Sequence, residues 1–135
     1  MNKRMNNKMY FTVVALFVSI ALSFPGTALA AHSTIEGVIA GANCIATKGT
    51  CPMKAGDPHL ALEHDFVLSA SGGKYYFMPN ISRSLKTTYV NKPVRITGVV
   101  NGSSLLVSVI EVKEGGAYQE VWNWKKITAE LSKGK

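Results

Sequence analysis

The sequence lacks the short motifs that identify the common enzyme and cofactor-binding families. It contains no G-x-S-x-G, P-loop or H-E-x-x-H motif, no C-x-x-C pair and no C-x-x-C-H haem-attachment site. Internal repeats and low-complexity segments are absent as well. These absences argue against a hydrolase, a nucleotide-dependent enzyme, a thioredoxin-like oxidoreductase and a c-type cytochrome. We therefore predict no catalytic residues and no enzyme activity.

Long apolar runs are also scarce, and the one that stands out lies at the N-terminus. Residues 9–24 are almost wholly apolar, and Ala28 and Ala30 are small residues at the positions that a signal peptidase reads. The run is shorter than the roughly 20 residues that span a bilayer comfortably. We predict a signal peptide over residues 1–30, cleaved after Ala30, and a periplasmic or secreted protein without stable membrane insertion after cleavage. The alternative is an uncleaved membrane anchor.

Acidic residues are few, with 8 against 15 basic residues in the whole chain. Lys3, Arg4 and Lys8 form the basic start of the predicted signal, which has no acidic residue. The remaining 105 residues therefore carry 12 basic and 8 acidic side chains, a net charge of +4. A mild positive charge mainly favours solubility, and an exported chain rarely meets nucleic acid. We predict one domain and no nucleic-acid partner.

The pattern after residue 30 indicates a mostly β domain. Five segments have the apolar alternation or β-branched and aromatic composition of strands: residues 33–40, 65–70, 74–78, 92–100 and 105–112. Gly37 suggests a bulge or bend in the first of them. Glycine-containing turns at residues 71–74 and 101–103 predict two hairpins. Residues 82–89 predict a short helix, and residues 41–64 a long loop.

The order strand, loop, hairpin, helix, hairpin is that of the OB-fold, a five-stranded Greek-key barrel. We predict an OB-like barrel over residues 31–116 and an amphipathic tail over residues 117–135. The alternative is another small β-barrel or sandwich with the same number of elements. Closing a barrel removes the sheet edges that invite aggregation.

Several sequence segments together resemble a known kind of protein. They are TIEGVIAG, a following cysteine, YYFMPN, and YVNKPVRITGVV before a hairpin. This pattern, over residues 34–112, resembles small exported bacterial proteins of uncharacterised function with an OB-like barrel. The resemblance implies the fold and the compartment, and it implies no catalytic residues.

The C-terminal tail supports two structures. Val121, Trp124, Ile127 and Leu131 lie near helical spacing, which predicts a helix packed on the barrel. Residues 121–124 also suit an extended strand. Trp122 and Trp124 could in addition form a stacking or partner surface, although aromatic side chains more often contribute buried area.

The segment from Gly41 to Phe66 holds both cysteines and much of the reactive chemistry. An exported protein with two cysteines favours a disulfide between Cys44 and Cys51. The chain-entropy model gives such a bridge, closing about eight residues, roughly 2.5 kcal/mol. In an OB-fold this segment is the β1–β2 loop, which flanks the usual ligand face.

The same segment also carries metal-ligand types. The candidates are Cys44, Cys51, Met53, Asp57, His59, His64 and Asp65. Thiolate, thioether and imidazole together suit copper, and thiolate with imidazole suits zinc. The six residues between the cysteines exceed the two to four that are usual in structural zinc sites. Glu63 and Asp65 could form a carboxylate pair on one side of a strand, or simply a solvated strand end.

We therefore expect an exported, soluble binding or accessory module whose β1–β2 loop is held by the disulfide. Tyr75 and Tyr76 are the candidate ligand-binding residues. Either Tyr76 faces the ligand while Tyr75 and Phe77 pack inward, or the reverse. The partner of the protein is expected to be an unidentified small ligand or an exported protein, and no cofactor is predicted. The alternative function is a periplasmic protein that binds copper or zinc through the cysteine, methionine and histidine side chains of residues 44–64.

Overall fold

A computed structural model describes residues 31–134 of the chain. It is mostly β, with six strands in one sheet: β1 (His32–Gly41), β2 (Phe66–Ala70), β3 (Tyr75–Phe77), β4 (Pro93–Asn101), β5 (Ser104–Glu114) and β6 (Ala117–Asn123). All five predicted strands are present, and β6 is added to them. The predicted signal peptide lies outside the described residues.

The strand order in the sheet is β3-β2-β1-β4-β5-β6, with antiparallel neighbours throughout. An additional parallel pairing joins β3 to β5 at Phe77 and Ser104. The first hairpin turns through Gly72 and Gly73, whose φ angles are 72° and 71°. Such positive φ values are what a tight turn requires, so the glycine pair explains the turn between β2 and β3.

The core follows from apolar alternation along the strands. Its buried members are Ile39, Phe66, Leu68, Met78, Ile81, Val90, Val94, Ile96, Leu105, Val107, Ile110 and Val112. In β5 the alternation of buried and more exposed side chains changes phase between Val107 and Ile110. The pairing with β4 shifts at this point, next to Gly98. One extra residue in β5 restores the inward direction of the apolar side chains, as a β-bulge does.

Glycine is required where strands approach each other closely. A Cβ added at Gly37 would lie 2.2 Å from the Ser69 carbonyl oxygen, and one at Gly98 would lie 2.3 Å from that of Leu106. Gly37 was predicted to mark a bulge or bend; the pairing of β1 with β4 runs through it without a register shift, and the pairing with β2 begins at this residue. Its role is close contact between backbones.

Within residues 31–134, three α-helices accompany the sheet: α1 (Ala42–Thr47), α2 (Arg83–Thr88) and α3 (Trp124–Lys133). The Ser82 side chain caps α2, because its Oγ accepts from the Leu85 amide at 3.3 Å. α2 confirms the predicted short helix. The prediction of a loop over residues 41–64 was wrong in detail, because this segment contains α1 and a 3₁₀ turn at Pro58–Leu62.

The tail combines the two structures that the sequence allowed. Its first part is β6, which pairs with β5, and the helix begins only at Trp124. The Asn123 side chain marks the boundary, since it accepts from the Lys126 amide at 3.3 Å and caps α3.

A polar row crosses β4, β5 and β6 on the side of the sheet away from the core. Arg95 of β4 donates two hydrogen bonds to Glu111 of β5, both at 2.8 Å. Its guanidinium carbon lies 4.2 Å from the ring centroid of Tyr118 on β6. The hydrogen bonds between Arg95 and Glu111 raise the pKa of Arg95 and lower that of Glu111.

No helix among residues 31–134 is long and apolar enough to cross a membrane.

Candidate functional site

The predicted disulfide is present between Cys44 and Cys51, whose Cα atoms are 5.1 Å apart. Cys44 lies in α1 and is buried, with 2% of its surface exposed, while Cys51 is half-buried. α1 contacts β1 and β2. The bridge therefore ties the chain that leaves α1 back onto a helix that already packs against the sheet.

Glu63, near the end of the segment between β1 and β2, caps the N-terminus of α1. Its two carboxylate oxygens accept from the Asn43 amide at 2.7 Å and the Cys44 amide at 3.0 Å. These are the amides that a short helix leaves unpaired at its start, and no local side chain caps α1. Glu63 is buried, at 5% exposure. A Cβ at Gly41 would lie 2.1 Å from the Glu63 carboxyl carbon, so only glycine leaves room for this contact.

Asp57 organises the middle of the segment. One oxygen accepts from the His59 amide at 2.9 Å and contacts His59 Nδ1 at 2.8 Å, and the other accepts from the Met53 amide at 3.0 Å. The Met53 and His59 amides, with the His59 ring, lower the pKa of Asp57 to about 2. Asp57 thus folds residues 53–59 into a compact turn.

Asp65 and Glu63 do not form the carboxylate pair that their spacing suggested. Glu63 points to α1, whereas Asp65 Oδ1 accepts from Lys86 Nζ and from the Phe66 amide, each at 2.7 Å. Burial opposes ionisation of Asp65, but these two hydrogen bonds prevail and lower its pKa. β2 begins only at Phe66, so neither carboxylate lies on a strand face.

α2 holds the end of the segment. Arg83 donates to the Leu60 carbonyl at 2.7 Å, and its guanidinium carbon lies 4.8 Å from the ring centroid of Phe66. The nearly buried Lys86, at 3% exposure, supplies the ion pair to Asp65. The segment is therefore fixed at its start by Glu63 and the disulfide, in its middle by Asp57 and at its end by α2.

The candidate metal ligands have different environments and partners. The two cysteine sulfurs are bonded to each other, Met53 is 63% exposed, His59 is bound to Asp57, and His64 is exposed. Within residues 31–134, no group of three or more His, Cys, Asp and Glu side chains converges on a point that could hold a metal ion.

The aromatic residues of β3 divide between the two sides of the sheet. Tyr76 packs against the core, while Tyr75 and Phe77 are 44% and 39% exposed. Their rings meet edge to face, with centroids 6.0 Å apart. Of the two arrangements considered for β3, the structure therefore has Tyr75 and Phe77 facing outward.

An open cavity of about 440 Å³ lies beside Tyr75 and Tyr76. Its lining residues come from the two hairpins: Gly73, Lys74, Tyr75, Tyr76, Gly102 and Ser103. The Phe77 amide donates to the Ser103 carbonyl at 2.8 Å, which holds β3 against the β4–β5 turn. The sequence identified Tyr75 and Tyr76 but missed Gly73, Lys74, Gly102 and Ser103. The glycine turns were visible in the sequence, whereas their meeting depends on the β3–β5 pairing.

The tryptophans of the tail lie side by side, with ring centroids 6.1 Å apart. Trp122 packs partly against the core, and Trp124 is 51% exposed.

No protein-family model matches this chain, and no curated protein or solved structure shows significant similarity to it.

Proposed function

We propose that this protein is an exported binding or accessory module built on an OB-like barrel. The order of β1 to β5 with α2 between β3 and β4 is that of the OB-fold. The β3–β5 pairing joins the two ends of the run β3-β2-β1-β4-β5, and we interpret this as closure of the barrel. The disulfide fits an oxidising compartment, as the proposed signal peptide requires.

The observation that carries the proposal is the cavity between β3 and the β4–β5 hairpin. OB-folds bind ligands on the face of strands 2 and 3, between the β1–β2 and β4–β5 loops. Here two outward aromatics and an open cavity occupy this region. Exposed aromatic side chains give a ligand apolar contact area at little cost in conformational entropy. The ligand class stays open between a small molecule and an exported protein.

The disulfide-bonded segment has a supporting role in this proposal. Glu63 and Asp57 accept hydrogen bonds from amides within the segment, and Arg83 of α2 donates to its Leu60 carbonyl. A fixed β1–β2 segment gives the neighbouring strand face a constant shape, which lowers the entropy lost on binding. Recognition is assigned to the β3 face, and the cysteines are assigned to stability.

The proposal can be tested by mapping binding with NMR. The ¹⁵N-labelled exported chain is mixed separately with small-molecule and protein fractions from its own export compartment. We expect amide shifts to concentrate at residues 73–77 and 102–103. The Tyr75→Ala/Phe77→Ala variant should lose most of the response, whereas Leu131→Ala, which changes an exposed apolar side chain elsewhere, should keep it. Shifts that avoid β3, or that survive the double substitution, would refute the assignment.

A further inference from the structure

The cavity between the two hairpins has one charged side chain in its lining, that of Lys74. Its lining residues come from two stretches of chain, residues 66–80 and 96–110, which contain no aspartate or glutamate. Lys74 is exposed and forms no ion pair within residues 31–134. No carboxylate of the described chain therefore holds this ammonium group, and an anion in the cavity can pair with it.

The lining also carries hydrogen-bond donors that the fold leaves unused. Among residues 31–134, the Gly102 and Ser103 amides have no protein acceptor, and the Ser103 hydroxyl makes no hydrogen bond. By contrast, the Lys74 carbonyl already accepts from the Ala70 amide, and the Ser103 carbonyl from the Phe77 amide. Turn amides and a hydroxyl beside an ammonium group favour an acceptor-rich ligand, such as a carboxylate or a phosphate.

An apolar strip adjoins these donors. Tyr75 lines the cavity, and its ring meets the outward ring of Phe77 edge to face. Phe77 pairs with Ser104 of β5, and the exposed Leu106 follows in the same strand. Because alternate residues of a strand point to the same side, Ser104 and Leu106 share one side of the sheet with Phe77. An apolar group attached to a bound anion can therefore contact this strip.

We propose that the cavity binds a small organic anion, in which an apolar or aromatic body carries a carboxylate or a phosphate. The inference rests on the proposed function and adds the chemical class of its ligand. Lys74 forms the ion pair, and the Gly102 and Ser103 donors bind the anion oxygens. Tyr75 and Phe77 contact the body. The cavity volume of about 440 Å³ is within the range of small-molecule sites.

The binding should be selective for the charge of the ligand rather than tight. Lys74 is exposed, and exposed ion pairs contribute little and are screened by salt. Hydrogen bonds from amides to a charged oxygen are stronger than those to a neutral one, and they fix the orientation of the ligand. The difference between an anion and its neutral analogue is therefore the quantity to measure.

The test compares three small probes through the amide shifts of the ¹⁵N-labelled exported chain. They are 3-phenylpropionate, its neutral amide 3-phenylpropanamide, and 2-phenylethyl phosphate. We expect both anions to shift residues 73–77 and 102–103, and the neutral amide to bind about tenfold more weakly than 3-phenylpropionate. Added salt should weaken the two anions and not the amide. The tighter anion identifies the preferred headgroup.

Substitutions separate the groups that bind the anion from those that bind the body. Lys74→Gln should weaken the anions about three- to fivefold and leave the neutral amide unchanged. Ser103→Ala, which keeps the backbone amide, should have a smaller effect in the same direction. Tyr75→Ala should weaken all three probes alike. Lys125→Gln makes the same change in charge at an exposed lysine of α3, so it should bind like the unaltered chain. Circular dichroism checks that the variants fold.

Three results would overturn the anion class and leave the proposed function standing. One is equal binding of 3-phenylpropionate and its amide at residues 73–77. Another is an equal loss of anion binding in Lys74→Gln and Lys125→Gln. The third is the absence of shifts with every probe while fractions from the export compartment still shift these residues. Fractions whose shifts avoid β3 would instead refute the proposed function, and this inference with it.

Discussion

Two carboxylates, Glu63 and Asp57, determine how the segment between β1 and β2 folds. Both accept hydrogen bonds from backbone amides. In an irregular segment these amides would otherwise donate to water. The sequence marked residues 41–66 as the place where chemistry concentrates. It did not show what these acids do, because Glu63 acts on amides 19 and 20 positions away.

Replacing Glu63 with glutamine should destabilise the protein, although the two side chains have nearly the same size and shape. Only one oxygen remains to accept, so either the Asn43 or the Cys44 amide meets an NH₂ group and loses its partner. We expect a loss of about 1–3 kcal/mol in the free energy of unfolding, measured with urea. Glu114→Gln, which changes an exposed acid, should stay within about 0.5 kcal/mol. Equal effects of the two substitutions would contradict the capping role.

Asp57 should titrate well below an ordinary aspartate. Its pKa in the folded protein is about 2, against a usual 3.8, because its charged form accepts two amide hydrogen bonds. A lowered pKa means that its stabilising effect is complete above the unfolded value and is lost as the pH falls through about 2. The amide shifts of Met53 and His59 should therefore have a midpoint near pH 2, and Asp57→Asn should abolish this transition. A midpoint near 3.8 would show that the turn is not formed.

At the scale of elements, the strands were predictable and α1 was not. Alternation of apolar residues identifies strands locally, as in residues 92–100 with Val94 and Ile96 inward. α1 has six residues and no local cap, and its stability comes from a distant carboxylate and a covalent bond. The start of α3 depends on the Asn123 cap, whose position was hidden because residues 121–124 suit both strand and helix.

The disulfide should contribute to stability without defining the sheet. Its loop has a sequence separation of 7, for which the chain-entropy model gives roughly 2.5 kcal/mol. Cys44→Ser/Cys51→Ser should lower the free energy of unfolding by about that amount and keep the β signal in circular dichroism. Reduction should destabilise the unaltered chain to a similar extent and leave the double variant unchanged. A reduced chain as stable as the oxidised one would contradict a stabilising role for the bridge.

At the scale of the whole molecule, the proposed function assigns stability and ligand binding to different parts of the fold. Glu63, Asp57 and α2 engage polar groups of the disulfide-bonded segment, and the exposed aromatics lie on β3 beside the β4–β5 hairpin. The sequence predicted Tyr75 and Tyr76 as candidates but not the cavity, since a cavity between hairpins depends on pairing across the fold. It also predicted the cysteine bridge, because the signal-like N-terminus and the even cysteine count are both local features of the sequence.

A disulfide-bonded recognition module and a metal-handling protein differ in the state of Cys44 and Cys51 after export. The most direct measurement is a native intact mass of the exported protein, isolated without chelator and compared with its reduced form. We predict a mass lower by the two thiol hydrogens, without an adduct, and an N-terminus at Ala31. A mass that includes one copper or zinc ion, with thiols that become free on denaturation, would contradict this view and make residues 44–64 the working site.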